Sequence, residues 1–318
     1  MRSIRFIFAG LISFVFSSCV FEISDGSEVG DPYKEVVFAS VPSTKGSVLA
    51  DDSHESMGVF AYTTQAGLFS VTNVSETAMA NQKMHRAKEL DDIFGEWSYS
   101  PVRFWPASES EKMSFFAYAP FHTAANGIMV ERKGDSPVPV LHYKVPMRVE
   151  DQPDLCVAIP QINKTYRDEQ VTFDFKRVLS YISFFIEGAG AKVTAVSVTG
   201  IKTAGSLSLG LESEGRIGAP YDYLIRWNLE DEISELNFSA GLQFDEGENY
   251  LTTTAESKNI LREDGFLMML PQTLTSKATI IMTLSDGSKK EFPLRMMSER
   301  WQPGMKYQYK FKWRGGNN

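Results

Sequence analysis

The chain has 318 residues with 32 Lys and Arg against 40 Asp and Glu, a formal charge of −8, and is 43% hydrophobic and 12% aromatic. So much apolar material excludes a disordered chain, and an acidic balance with scattered cations excludes the basic footprint of a nucleic-acid binder. The length exceeds one ordinary sandwich core, so two domains are expected.

The first residues, MRSIRFIFAGLISFVFSSC, place Arg2 and Arg5 ahead of an apolar run from Phe6 to Phe16, then Ser17 and Ser18 before Cys19. This is the pattern of an export signal whose apolar run is too short to span a bilayer. It resembles a bacterial lipobox, with Phe16 where leucine is usual. The resemblance implies a signal peptide over residues 1–18 and lipid on Cys19. Residues 19–33 read as a polar, glycine-bearing tether. Cys156, the second of two cysteines, lies in the apolar run Leu155–Ile159 and reads as a small buried hydrophobe.

A first domain is expected over residues 34–165. Glu35–Val41 is its first strand, followed by the loop Pro42-Ser43-Thr44-Lys45-Gly46. Met57–Thr64 and the short Leu68–Val71 follow as strands. Over Glu76–Leu90 the apolar positions are too sparse to decide between helix and long loop. Trp97 to Pro120 is the most telling stretch. Pro101, Pro106 and Pro120 forbid a long helix, while Met113, Phe115 and Ala117 alternate with Ser114, Phe116 and Tyr118. Strands are then predicted at Gly127–Val130, Val140–Val145 and Leu155–Ile159.

The charged patch Tyr166–Gln170 opens a second expected domain, residues 166–318. Val171, Phe173 and Phe175 alternate with polar neighbours. Further strands are predicted at Val178–Ile186, Val193–Ile201, Ser206–Leu211, Leu224–Trp227 and Phe266–Leu270, with a short helix at Leu229–Leu236. Lys277–Met296 has the pattern of a hairpin turning on Asp286-Gly287. In the last run, Tyr307, Tyr309, Phe311 and Trp313 alternate with Gln308, Lys310 and Lys312, giving one aromatic and one wet face. Short strands punctuated by turns predict an all-β protein of two tandem β-sandwiches.

Little points to catalysis. His54, His85, His122 and His142 lack paired metal-ligand spacing, and neither a nucleophile elbow nor a phosphate-binding loop occurs. Neither a metal nor any other cofactor is therefore expected. The doublets Asp51-Asp52, Asp91-Asp92, Asp231-Glu232 and Asp245-Glu246 read as solvated loop charge. Trp97, Tyr221, Tyr223 and Trp227 admit two readings, core aromatics or a platform for stacking sugars.

Three stretches also carry a resemblance. The Trp97, Phe104-Trp105-Pro106 and Phe115-Phe116-Ala117-Tyr118-Ala119-Pro120 series, the segment Phe173 to Ser180 (with Arg177 where histidine is common), and the closing Trp301, Gly304, Tyr307 spacing resemble the fimbrillin-like (Mfa-like) surface lipoproteins and pilins of Bacteroidota. That resemblance implies transthyretin-like sandwiches and a non-enzymatic fimbrial subunit, tip or adhesion component. It also implies a fimbrium at the outer membrane and cell surface, anchored by lipid. Partners would be other pilin subunits joined by β-strand addition after proteolytic removal of the first strand, and a receptor on a host or bacterial surface. Lys45 is the candidate processing residue, where the family's best-known protease prefers arginine. Only Arg314–Asn318 follow the closing strand, with no apolar side chain to donate, which implies either a terminal place in a filament, as a tip subunit that accepts a strand but gives none, or a monomeric surface lipoprotein. A cell-surface glycan-binding lipoprotein on the same scaffold is the alternative.

Overall fold

A computed structural model describes residues 34–40, 55–70, 72–86, 97–132, 136–211, 224–238, 241–261 and 265–313. The protein is all-β. Among the described residues the helical turns with assigned bounds, Val149–Asp151 and Leu294–Met296, are 3-10, and no helix is long and apolar enough to cross a membrane.

The first large sheet is built around Ser56–Thr64, which pairs antiparallel with Glu76–Arg86 on one side and Lys112–Ala119 on the other. The ladder continues from Lys112–Ala119 through Cys156–Ala158 to Phe175–Arg177, and Trp97–Ser98 closes the opposite edge. Its two central strands are apolar on both faces because each face covers a different core. Val59, Ala61, Phe115 and Ala117 face one core, whereas Phe60, Tyr62, Phe116 and Tyr118 face a second that continues into the other half of the chain.

Glu76–Arg86 is a strand, and its disguise has a physical cause. Asn81 adopts a left-handed backbone (φ 53°), and the register with Ser56–Thr64 shifts on either side of Ala61. These irregularities break the two-residue alternation, so the buried Met79 and Met84 stand five positions apart. The predicted strand Leu68–Val71 instead begins at the end of a bend over 65–68 and joins no ladder at 69–70, with Leu68 exposed, and Val71 lies outside the described residues. The stretch predicted as helix, Leu229–Leu236, consists of parts of two strands, Asn228–Leu229 and Ile233–Asn237, because partners at Ala204–Ser208 and Lys192–Lys202 satisfy their backbones. Residues 225–227, predicted as strand, leave the ladders.

In the second half, Ser180–Glu187 pairs in parallel with the closing strand Lys306–Lys312 from Tyr181↔Lys306 to Glu187↔Lys312, and antiparallel with Leu267–Met269 and Lys258–Asn259. Facing it is the sheet Ile233–Asn237, Lys192–Lys202, Thr279–Leu284, Lys289–Pro293. Phe184, stacked 5.7 Å from Phe238, and Phe311, 4.6 Å from Phe292, fill the space between. The hairpin turns on Asp286 and Gly287 as its sequence predicts, with Gly287 at φ 81°.

Ladders cross the expected boundary at residue 166. Val171–Phe173 and Phe175–Arg177 pair with strands of the first half. A four-stranded sheet, ordered Asn228–Leu229, Ala204–Ser208, Pro139–Lys144, Ile128–Arg132, joins two strands from each half. Polar contacts reinforce the joint. Gln152 accepts from Met268 N at 2.8 Å, and Tyr143 donates to Met268 O at 3.4 Å. Arg177 pairs with Asp154 at 3.1 Å, and the Tyr181 hydroxyl donates to the same carboxylate.

Candidate functional site: the seat of the leading strand

Phe38–Ser40, the leading strand, is short and belongs to a two-stranded parallel pair with Val171–Phe173, in register Phe38↔Val171, Ala39↔Thr172, Ser40↔Phe173. Before it, residues 34–37 run along the Arg103–Trp105 segment. Val36 N donates to Arg103 O and Trp105 N to Lys34 O, both at 2.9 Å, and Glu35 bridges Phe104. On the other side Val171 N donates to Val37 O at 2.8 Å. The segment is thus inserted between two pieces of backbone from distant parts of the chain.

Two side chains anchor it. Phe38 is wholly buried, edge-on to Tyr99 (5.4 Å) and Phe115 (5.7 Å) and stacked on Phe173 (5.8 Å). Val36, two residues earlier, enters the same core, whereas Val37 between them is 39% exposed. Burying these two side chains contributes roughly 3–6 kcal/mol. Trp105 completes the wall, edge-on to Phe115 at 5.8 Å. At the outer end, the Tyr99 hydroxyl donates to Val36 O at 2.8 Å, and burial raises its pKa. The Lys34 ammonium donates to the carbonyls of Tyr166 and Asp168, the latter at 3.1 Å.

The tryptophan-proline stretch therefore shapes the seat directly, since Trp105 and Phe115 line it and Tyr99 latches the strand in place. Sequence reasoning found the strand but not its anchors or its latch. The alternation of Val36 and Phe38 within Glu35–Val41 was the available signal. Cys19 and Lys45, the predicted lipidation and processing residues, lie outside the described residues, as do His54, Tyr221, Tyr223, Asp51-Asp52 and Asp91-Asp92.

The remaining candidates are dispersed. Trp97 is buried in the core of the seat, and Trp227 is half-buried, its indole donating to Val178 O at 2.8 Å. Neither joins an exposed stacking row. Cys156 is buried at the end of its strand, and burial is the main reason its thiol pKa rises. Asp231 pairs with Lys202 at 3.2 Å, and Asp245 accepts from Thr252 N at 3.0 Å. His122 contacts the Tyr118 hydroxyl at 3.0 Å. Among the described residues no three His, Cys, Asp or Glu side chains gather as a metal site.

A family model described as fimbrillin-like matches residues 50–318. The chain belongs to the fimbrillin-like family. Solved structures carry the same fold at low identity. A fimbrial protein from Bacteroides vulgatus superposes with a TM-score of 0.57 at 16% identity, covering 88% of this chain and 95% of that one. A protein provisionally assigned to cell adhesion, from Bacteroides uniformis, gives 0.55 at 15% identity, with 88% and 93% covered. No curated protein matches this fimbrillin-like chain.

Proposed function

We propose that this fimbrillin-like protein is a non-enzymatic fimbrial or adhesive subunit of the cell surface, carried to the outer membrane by lipid on Cys19 and joined to other subunits by strand replacement. The observation that carries the proposal is the seat of the leading strand: three parallel pairs and two buried anchors hold a segment that precedes Lys45 by a few residues. Cleavage after Lys45 frees the strand at one end, and a strand of a second subunit takes its place. Main-chain hydrogen bonds give the replacement strength, and side chains at alternate positions give it fit. The incoming strand presents two large apolar side chains two residues apart, as Val36 and Phe38 do. The similarity of fold to a fimbrial protein supports this reading. We place the division between the two domains after Arg177, since the strands up to that residue complete the sheets of the first half.

N-terminal sequencing of the surface-assembled protein tests the proposal. It is expected to begin at Gly46 in wild type, and Lys45→Gln is expected to reach the membrane but not to enter filaments. Filaments whose subunits still begin at Cys19 would overturn it.

A further inference from the structure

The sheet that joins the two halves has an outer face that combines polar, charged and apolar side chains. Pairing places Met129, His142, Ser206 and Asn228 side by side across all four strands. The next row is Glu131, Val140 and Ser208. The residues between these rows, Leu141 and Leu207 among them, point into the core. One strand, Ala204–Ser208, bears only small side chains on the outer face, so its taller neighbours rise as walls around a cleft of about 350 Å³. Glu131 and His142 form one wall, with Nε2 to Oε1 at 3.2 Å. Leu224, Arg226 and Asn228 form the other. A second cleft of about 250 Å³ shares His142 and adds Lys144, Glu230 and Glu232.

We infer that this double cleft binds a neutral saccharide, one hexose-sized ring in the larger part and its neighbour in the smaller. The volume of the larger cleft lies at the small end of the range of roughly 300–1,000 Å³ for ligand clefts. Its polar groups are serine hydroxyls, a carboxamide, a carboxylate, an imidazole and a guanidinium, a mixture of donors and acceptors. Such a mixture matches sugar hydroxyls, which both give and take hydrogen bonds. Val140 and Leu224 supply apolar surface for a C–H face of the ring. Across both clefts three carboxylates (Glu131, Glu230, Glu232) outnumber two fixed cations (Arg226, Lys144), which disfavours sialylated, sulfated or phosphorylated ligands.

This inference takes from the proposed function only that the face is displayed outside the cell. A glycan array of neutral, sialylated and sulfated saccharides, probed with the intact mature protein and followed by calorimetry on the best ligand, tests it. A neutral saccharide is expected to bind. Ser206→Trp, which fills the cleft floor, and Glu131→Gln, which keeps its shape, are each expected to weaken binding about tenfold or more with circular dichroism unchanged. If Ser206→Trp disturbs the fold, Glu131→Gln alone decides. Absence of neutral binding, preference for acidic saccharides, or binding indifferent to Glu131→Gln would overturn the inference. Filament incorporation is scored separately in the same variants, so that absence of sugar binding with normal assembly refutes this inference and leaves the subunit assignment intact.

Discussion

Phe38 is the residue on which the leading strand depends. It has no exposed surface and touches three aromatic rings, so Phe38→Ala removes its transfer energy and leaves a cavity among side chains that cannot collapse. A loss of about 3–5 kcal/mol in urea unfolding is expected, with Val37→Ser, at the exposed position just before the strand, changing stability by less than about 0.5 kcal/mol. A second residue-scale effect comes from buried phenols. Burial is the leading cause that pushes Tyr62 and Tyr118 up from 10.0 to about 12, and it pushes Tyr143 and Tyr181 higher still. The unfolded chain ionises its tyrosines near pH 10 while the folded one keeps these protons, so the unfolded state binds fewer protons above that pH. Stability is therefore expected to hold below pH 10 and to fall progressively from pH 10 to 12 and beyond. Denaturant midpoints across that range, with tyrosinate absorbance read in parallel, provide the check; midpoints unchanged to pH 12 would contradict it.

Strands here are legible from sequence where alternation is unbroken and hidden where it is not. Lys112–Ala119 and Lys306–Lys312 lie where their patterns put them, whereas Glu76–Arg86 is obscured by the irregular backbone at Asn81. Another bulge interrupts Lys192–Lys202 between Val198 and Ile201, and Gly200 within it has φ 71°. A Cβ at that position would lie 2.1 Å from Lys277 O. Both the left-handed backbone and the carbonyl exclude a side chain, so Gly200→Ala is expected to cost about 2–4 kcal/mol. The damage would fall on the ladders with Ile233–Asn237 and Thr279–Leu284 that flank Gly200, detectable as faster amide exchange there than in Ser56–Thr64. Equal exchange in those ladders and in Ser56–Thr64 would show that the bulge is not what holds them.

Across the whole molecule, one hydrophobic core runs from Phe60 and Tyr118 in the first large sheet to Phe184 and Phe311 in the second half. The joining sheet adds a ladder from Ala204↔Lys144 to Ser208↔Val140. The halves are thus expected to unfold together. Thermal melts followed by tryptophan fluorescence and by far-ultraviolet circular dichroism should coincide, and two separated transitions would contradict this. The isolated 178–318 segment, deprived of the Pro139–Lys144 partner, is expected to remain poorly folded.

Residue chemistry alone determined the fold class, the family resemblance and most strand positions, because two-residue alternation and turn-forming glycine, proline and aspartate act over a few neighbours. It could not determine that Val171–Arg177 completes sheets of the first half, nor that Tyr99 latches a strand 63 positions earlier. Nor could it place Met129, His142, Ser206 and Asn228 in one row. These are pairings between distant strands. Each isolated strand can satisfy many partners equally well, and only the packing of both cores selects among them.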